Sequence, residues 1–230
     1  MGFFKAFIRE LLDEGHIVDI ATNENNGETP VQPYYRDWGC NVYHIDTSRS
    51  PLSLGNLKAI KQIKRIVEDN GYDLVHCHTP LASVAARQAC KGLRKSKGLK
   101  VFYTAHGFHF YDGAPLRNWL IFYPIEKHYS RYTDVLITIN KEDYKRASEK
   151  FHAKKTVYIP GVGVDMEKFA VCKVDRSAKR IELGVKDSDF LLLSVGELSE
   201  RKNQKVIIDA LHKMKDAGTI DNIVYLAVGK

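Results

Sequence analysis

Short strand-like runs rich in Val, Ile, Leu and aromatic residues recur along the chain, at Asp73–His78, Val101–Ala105, Val135–Ile139, Thr156–Ile159, Phe190–Val195 and Ile223–Val228. Segments of helical periodicity separate most of them: Leu57–Glu68, Leu81–Gly92, Pro115–Arg131, Lys141–Phe151 and Gln204–Lys215. A strand that is apolar at nearly every position is buried on both faces, and strands joined through helices pair in parallel. The pattern therefore restricts the chain to an α/β fold with parallel sheets. Local signals fix the ends of several helices. Thr79-Pro80 offers a cap and a first-turn proline to Leu81–Gly92, Asn140 caps Lys141–Phe151 with Glu142 and Asp143 in its first turn, and Asn70-Gly71 closes Leu57–Glu68.

The front of the chain reads differently. Phe3, Phe4, Phe7, Ile8, Leu11 and Leu12 form a helix stopped by Gly15, followed by strands at Ile17–Ala21 and Val42–Asp46 with a polar loop between them. A doubly wound domain ordinarily opens with a strand whose glycine-rich turn leads into the first helix, so Met1-Gly2 reads as the tail of such a turn. The expected division is a first domain over 1–169 lacking its first strand, a polar connection over 170–187 with a short helix near Ala178–Leu183, and the opening β-α-β of a second domain over 188–230. One such unit leaves a whole sheet edge uncovered, so the second domain is expected to continue further.

Charge and cysteine usage bound the partners. The chain carries 35 Lys and Arg against 28 Asp and Glu, a net charge of +7, which favours anionic partners such as nucleotides or phospholipid surfaces. Cys40, Cys77, Cys90 and Cys172 show no CxxC spacing, which suits reduced thiols in the cytoplasm. No apolar run approaches the roughly 20 residues of a membrane span. The basic tract Lys91, Arg94, Lys95, Lys97 and Lys100, with the aromatic helix around Trp119, marks a surface for the inner face of an anionic membrane.

Chemistry concentrates where strands end. Val101–Ala105 stops at His106-Gly107, placing an imidazole at the carboxyl edge of the sheet, where α/β proteins bind ligands. His76 and His78 lie two apart on the preceding strand, hence on one face, and His109 follows shortly after His106. Four histidines suggest zinc, but no ligand spacing supports a metal site. Pro160-Gly161-Val162-Gly163-Val164-Asp165 is a turn whose amides are placed to line a cleft; without a third glycine it is no dinucleotide fingerprint. Gly196-Glu197-Leu198-Ser199-Glu200-Arg201-Lys202-Asn203 joins a strand to a helix N-terminus, a place where amides, helix dipole and basic side chains receive an anion.

Taken in order, Tyr72-Asp73-Leu74-Val75-His76-Cys77-His78, Thr104-Ala105-His106-Gly107, Ile159-Pro160-Gly161-Val162-Gly163-Val164-Asp165 and Ser194-Val195-Gly196-Glu197-Leu198 with Arg201-Lys202-Asn203 resemble the bacterial family 4 glycosyltransferases of the GT-B fold. The resemblance implies two Rossmann-like domains, a nucleotide-sugar donor, most often UDP-linked, and no further cofactor. It implies a hexose or N-acetylhexosamine transferred with retention to a lipid-linked or polysaccharide acceptor of capsule or exopolysaccharide synthesis. By position, His106 matches the active-site histidine and Lys202 the lysine at the donor diphosphate, with Arg201, Gly196 and Glu197 beside it. Gly2, His78, Gly107, His109, Gly161 and Asp165 fall on the acceptor or cleft side. Glu197 stands where many members have arginine, and the family's downstream Glu-x7-Glu element is not in this sequence. The resemblance thus implies an inactive fragment of a peripheral membrane enzyme. A non-catalytic interaction protein of the same fold and a metal-dependent hydrolase are the other classes weighed; no nucleic acid is expected.

Overall fold

The computed structural model describes residues 4–24, 33–48, 54–164, 166, 170 and 174–229. The chain divides into two compact units, Met1–Val164 and Asp165–Lys230.

In the first unit, β3 (Leu74–His78), β4 (Lys100–Ala105), β5 (Val135–Thr138) and β6 (Lys155–Tyr158) form a four-stranded parallel sheet in sequential order. Each step is a crossover: α4 (Pro80–Cys90) with the short α5 (Leu93–Ser96), then α6 (Leu116–Ser130), then α7 (Lys141–Lys150). Parallel strands require such connections, because both must start at the same sheet edge. The register pairs His76 with Phe102, Cys77 with Tyr103 and His78 with Thr104. One face of the sheet thus carries His76, His78, Phe102 and Thr104; the other carries Cys77, Val101, Tyr103 and Ala105.

That second face packs on the helices. Val101, Tyr103, Ala105 and Leu136 are buried against Ala85, Ala86, Ala89 and Cys90 of α4, whose small side chains let it also lie close to α3 (Leu54–Asn70). An ion pair is enclosed there. Arg87 Nη2 donates to Glu126 Oε2 at 2.9 Å, the Tyr103 hydroxyl donates to Glu126 Oε1 at 3.1 Å, and Arg87 Nε donates to the Ser83 carbonyl at 3.0 Å. Arg87 and Tyr103 are each 1% exposed. Beneath the sheet, the Arg94 guanidinium forks onto both Asp134 oxygens at 2.9 and 2.8 Å, while Lys154 and the Val101 N–H reach the same carboxylate. Burial alone would raise the Asp134 carboxyl; these donors hold it well below the usual range.

The remaining elements of this unit, α1 (Lys5–Asp13), β1 (Ile20–Thr22), α2 (Tyr34–Asp37) and β2 (Val42–His44), build a smaller cluster around Ile8, Ile20, Tyr35 and Cys40. β1 and β2 pair in parallel, and no ladder joins them to β3 among the described residues. The Tyr72 hydroxyl, just before β3, donates to Asp19, just before β1. Two local readings need correction. Thr79 adopts φ 65° and makes no side-chain cap; its carbonyl accepts from the Ser83 N–H and hydroxyl instead. The expected loop at Thr22–Trp38 contains the single turn α2, which buries Tyr35 completely.

The second unit holds α8 (Arg176–Glu182), β7 (Phe190–Val195), α9 (Lys205–Asp216) and β8 (Ile223–Val228), with β7 and β8 parallel over six residue pairs. Asp175 caps α8 through the Ser177 and Ala178 amides. Gly196 continues β7 and gives its N–H to the Val228 carbonyl at 2.9 Å, so close to Gly229 that a Cβ there would collide with the Gly196 carbonyl.

Candidate functional site

The carboxyl ends of β3 and β4 bring three of the four singled-out histidines together. His76 and His78 point to the same face by strand alternation, with ring centroids 4.3 Å apart. Thr104, the register partner of His78, meets His76: Oγ1 lies 2.8 Å from His76 Nε2. His106, two residues beyond Thr104, turns its Nε2 to His78 Nδ1 at 3.1 Å. Helix α1 closes this row with carbon. The Phe4 ring lies edge-on to His78 at 4.4 Å and to His106 at 6.2 Å, and Phe7 stands edge-on to His76 at 5.8 Å.

Desolvation sets the charge state. Burial, then the neighbouring imidazoles His76 and His106, push His78 down to about 3; burial and His106 push His76 down to about 4. Burial also lowers His106. All three rings are neutral at physiological pH. Among the described residues no group of three or more His, Cys, Asp or Glu side chains is placed to hold a metal ion, and the facing nitrogens of His78 and His106 bond each other.

His106 is followed by a loop clamped from α7. Gly107 takes φ 115°, a region that favours glycine, and turns the chain off the sheet. The next amide, Phe108 N–H, donates to the buried Asp143 Oδ2 at 3.0 Å, and Asn140, whose Oδ1 caps the helix on Asp143 N, donates its amide to the same Oδ2 at 2.7 Å. One turn on, Arg146 donates to the Phe110 carbonyl at 3.2 Å and to Asp112 Oδ1 at 2.8 Å, and lies over the Trp119 ring at 4.8 Å. Glu142 accepts from Asp112 N–H at 2.7 Å; that amide, with Arg146, lowers its carboxyl. Phe108 and Phe110 anchor the loop in an aromatic cluster with Trp119, Tyr123 and Phe151. Asp143 and Arg146 thus hold the chain that carries His106. The sequence signalled Asp143 only as a first-turn acid of α7.

Other singled-out residues stand apart. His109 stacks on Phe122 at 4.5 Å and gives its carbonyl to Asn118, away from the histidine row. Gly161 lies beyond β6 with φ 97°, its N–H donated to the Ile159 carbonyl, so that amide is occupied within its own turn. Gly2 and Asp165 lie outside the described residues. In the second unit, Arg201 pairs with Glu197 at 3.3 Å, which offsets its charge, and the Lys202 and Asn203 amides both donate to the Ser199 carbonyl. The Gly196 amide is taken by Val228. Three backbone donors expected for an anion are therefore already bonded, two within the loop and one to the last strand. Lys202 is exposed beside an open hollow lined by Leu198, Ser199, Glu200, Asn203, Gln204 and Lys205.

Residues 2–140 match the family described as glycosyl transferase 4-like. The chain is 43% identical over 193 residues to a Bacillus subtilis (strain 168) protein named "Putative glycosyltransferase EpsD", covering 83% of this chain and 49% of that one. It is 26% identical to the Escherichia coli UDP-Gal:alpha-D-GlcNAc-diphosphoundecaprenol alpha-1,3-galactosyltransferase over 85% of this chain and 50% of that one. It therefore spans about half the length of these curated relatives. Among solved structures, the S. aureus MnaA–UDP co-structure aligns over 98% of this chain and 58% of its own, with TM-score 0.62 and 13% identity. Anabaena Alr3699/HepE in complex with UDP aligns over 93% and 70%, with TM-score 0.58 and 16% identity. At these identities the likeness shows the fold, parallel Rossmann-like sheets of the GT-B kind.

Proposed function

The chain belongs to the glycosyl transferase 4-like family, and we propose on that footing that the protein moves a hexose or N-acetylhexosamine from a UDP-sugar to a lipid-linked or polysaccharide acceptor, with retention at the anomeric carbon. Residues 1–169 form the acceptor side, 170–187 the connection, and 188–230 the opening of the donor side. The observation that carries the reading is His106, held at the carboxyl end of β4 against His78 with its loop clamped by Asp143. Sugar transfer builds positive charge on the anomeric carbon as the diphosphate departs. A neutral imidazole orients sugar hydroxyls without repelling that charge, and its solvent-poor setting keeps it neutral. In the second unit, Lys202 is the cation we assign to the diphosphate, with Arg201 and Glu197 beside it.

The test is UDP release from UDP-sugars in the presence of a membrane lipid extract, by this chain and by a form of the length of its relatives. We expect release from the longer form alone and its loss in His106→Ala. Release at full rate after that substitution overturns the role of His106; binding of UDP without any release overturns the transferase reading in favour of a non-catalytic protein.

We also propose contact with an anionic membrane on the cytoplasmic side, at a place different from the basic tract as a whole. No helix among the described residues is long and apolar enough to cross a membrane. Arg94 is bound to Asp134, and Trp119 packs inward on Phe110 and Tyr123, so neither is a surface group. The exposed Lys91, Lys95 and Lys97 precede β4 and the exposed Lys100 opens it, at the opposite sheet edge from His106, roughly 20 Å away along the strand. At the His106 edge the start of α6 turns Leu116, Leu120 and Ile121 outward, 71%, 68% and 47% exposed. A lipid-linked acceptor needs the membrane at that edge. Leu116→Ser with Leu120→Ser is expected to weaken co-sedimentation with anionic vesicles more than Lys95→Glu with Lys97→Glu; the reverse order places the membrane at the lysines.

A further inference from the structure

We propose that His78 is a positioning residue for His106, a second imidazole bonded ring to ring that fixes the orientation of the first and couples its tautomer to its own. The proposal rests on the reading of His106 as the residue that meets the sugar.

A neutral imidazole has one N–H and one bare nitrogen. His78 Nδ1 and His106 Nε2 face each other at 3.1 Å, so one of them carries a proton and the other accepts it. The two tautomers are therefore complementary. If His106 is protonated at Nε2, its Nδ1 is bare and His78 carries its proton on Nε2; if His78 is protonated at Nδ1, His106 carries its proton on Nδ1. Protonating both rings sets two N–H groups against each other across the same 3.1 Å.

His78 is itself held in place. Its ring lies against His76 at 4.3 Å, His76 is bonded to Thr104 at 2.8 Å, and Phe4 packs edge-on at 4.4 Å. The groups facing the pair are His76 from β3, Thr104 from β4, and the uncharged rings of Phe4 and Phe7 from α1. A residue serving only to fill space would need the ring of His78 and not its nitrogen; the nitrogen-to-nitrogen contact is what packing does not require.

The test combines two readouts. In the protein as purified, ¹⁵N spectra of the histidine rings should show one protonated and one bare nitrogen in the facing positions. In His78→Phe, which keeps an aromatic ring beside Phe4, the His106 Nε2 signal should move as that nitrogen loses its ring partner. Turnover by the longer form should fall about tenfold in kcat with KM for the UDP-sugar changed less than about twofold, and His78→Gln, which offers both a donor and an acceptor, should restore most of it. An unchanged His106 Nε2 signal and kcat in His78→Phe overturn the proposal, as do facing nitrogens both bare or both protonated in the unmodified protein. The latter holds even where His78→Phe fails to fold. If His106→Ala leaves turnover intact, it is the sugar-facing role of His106 that fails, and the spectra decide on the ring pair separately.

Discussion

Glu126→Ala is the substitution whose cost is best defined by the structure. It removes the acceptor of two buried donors, Arg87 Nη2 at 2.9 Å and the Tyr103 hydroxyl at 3.1 Å, on residues that are each 1% exposed. The charge-assisted bond contributes about 1.5–3 kcal/mol and the stranded hydroxyl costs about 1–3 kcal/mol. Arg87 keeps its bond to the Ser83 carbonyl and its place over the Tyr103 ring, so its charge is only part-compensated. The sum agrees with the roughly 3–5 kcal/mol lost when one partner of a buried ion pair is deleted. For a unit of this size that is a fall in Tm of about 6–20 °C, at 2–4 °C per kcal/mol. Tyr103→Phe should cost only about 1 kcal/mol, since the ion pair survives. Arg87→Met combined with Glu126→Leu should recover the part of the loss that comes from the unpaired charge, because it removes both charges together, while the Tyr103 hydroxyl stays stranded. Urea unfolding followed by circular dichroism measures all three. A cost below about 1 kcal/mol for Glu126→Ala, or a double variant worse than the single, would refute the reasoning.

Two further outcomes are expected from the same geometry. His76 and His78 are held below the ordinary 6.5, at about 4 and about 3, so as pH falls below about 6.5 the unfolded chain takes up protons first and stability declines towards about pH 4; a urea midpoint that stays flat between pH 7 and pH 5 contradicts this. Asp143→Ala strands the Phe108 amide of a residue 6% exposed, costing about 1–3 kcal/mol, and should speed hydrogen exchange at Phe108 while leaving β6 protected.

Much of the first unit was legible because its helices and strands differ in period. β3 to β6 and the helices between them lie within a few residues of where apolar spacing placed them, and the two-residue spacing of His76 and His78 put both on one face. What escaped is long-range or aperiodic. α2 is a single turn, too short to show a period, yet its Tyr35 is fully buried. His109 left the histidine row because Gly107 redirects the chain, and nothing in the spacing reports the new direction. The basic tract read as uniform, although Arg94 answers Asp134 forty positions on, beneath the sheet. The clamp on the His106 loop joins residues 30 to 36 positions apart, a pairing that composition does not reveal.

The place of β4 has a consequence for motion. β4 is laddered to β3 on one side and β5 on the other, so Thr104 cannot shift without disturbing the pairing to two neighbours, and Ala105 is paired to β5. The loop that follows has no ladder in the sheet; its backbone hangs on Asp143, Glu142 and Arg146. Opening of the strand is thereby tied to unfolding of the whole sheet, whereas the loop can open by releasing a few side-chain bonds. His106 sits on the boundary between these two regimes, its own position governed by the slow one and the space in front of it by the fast one.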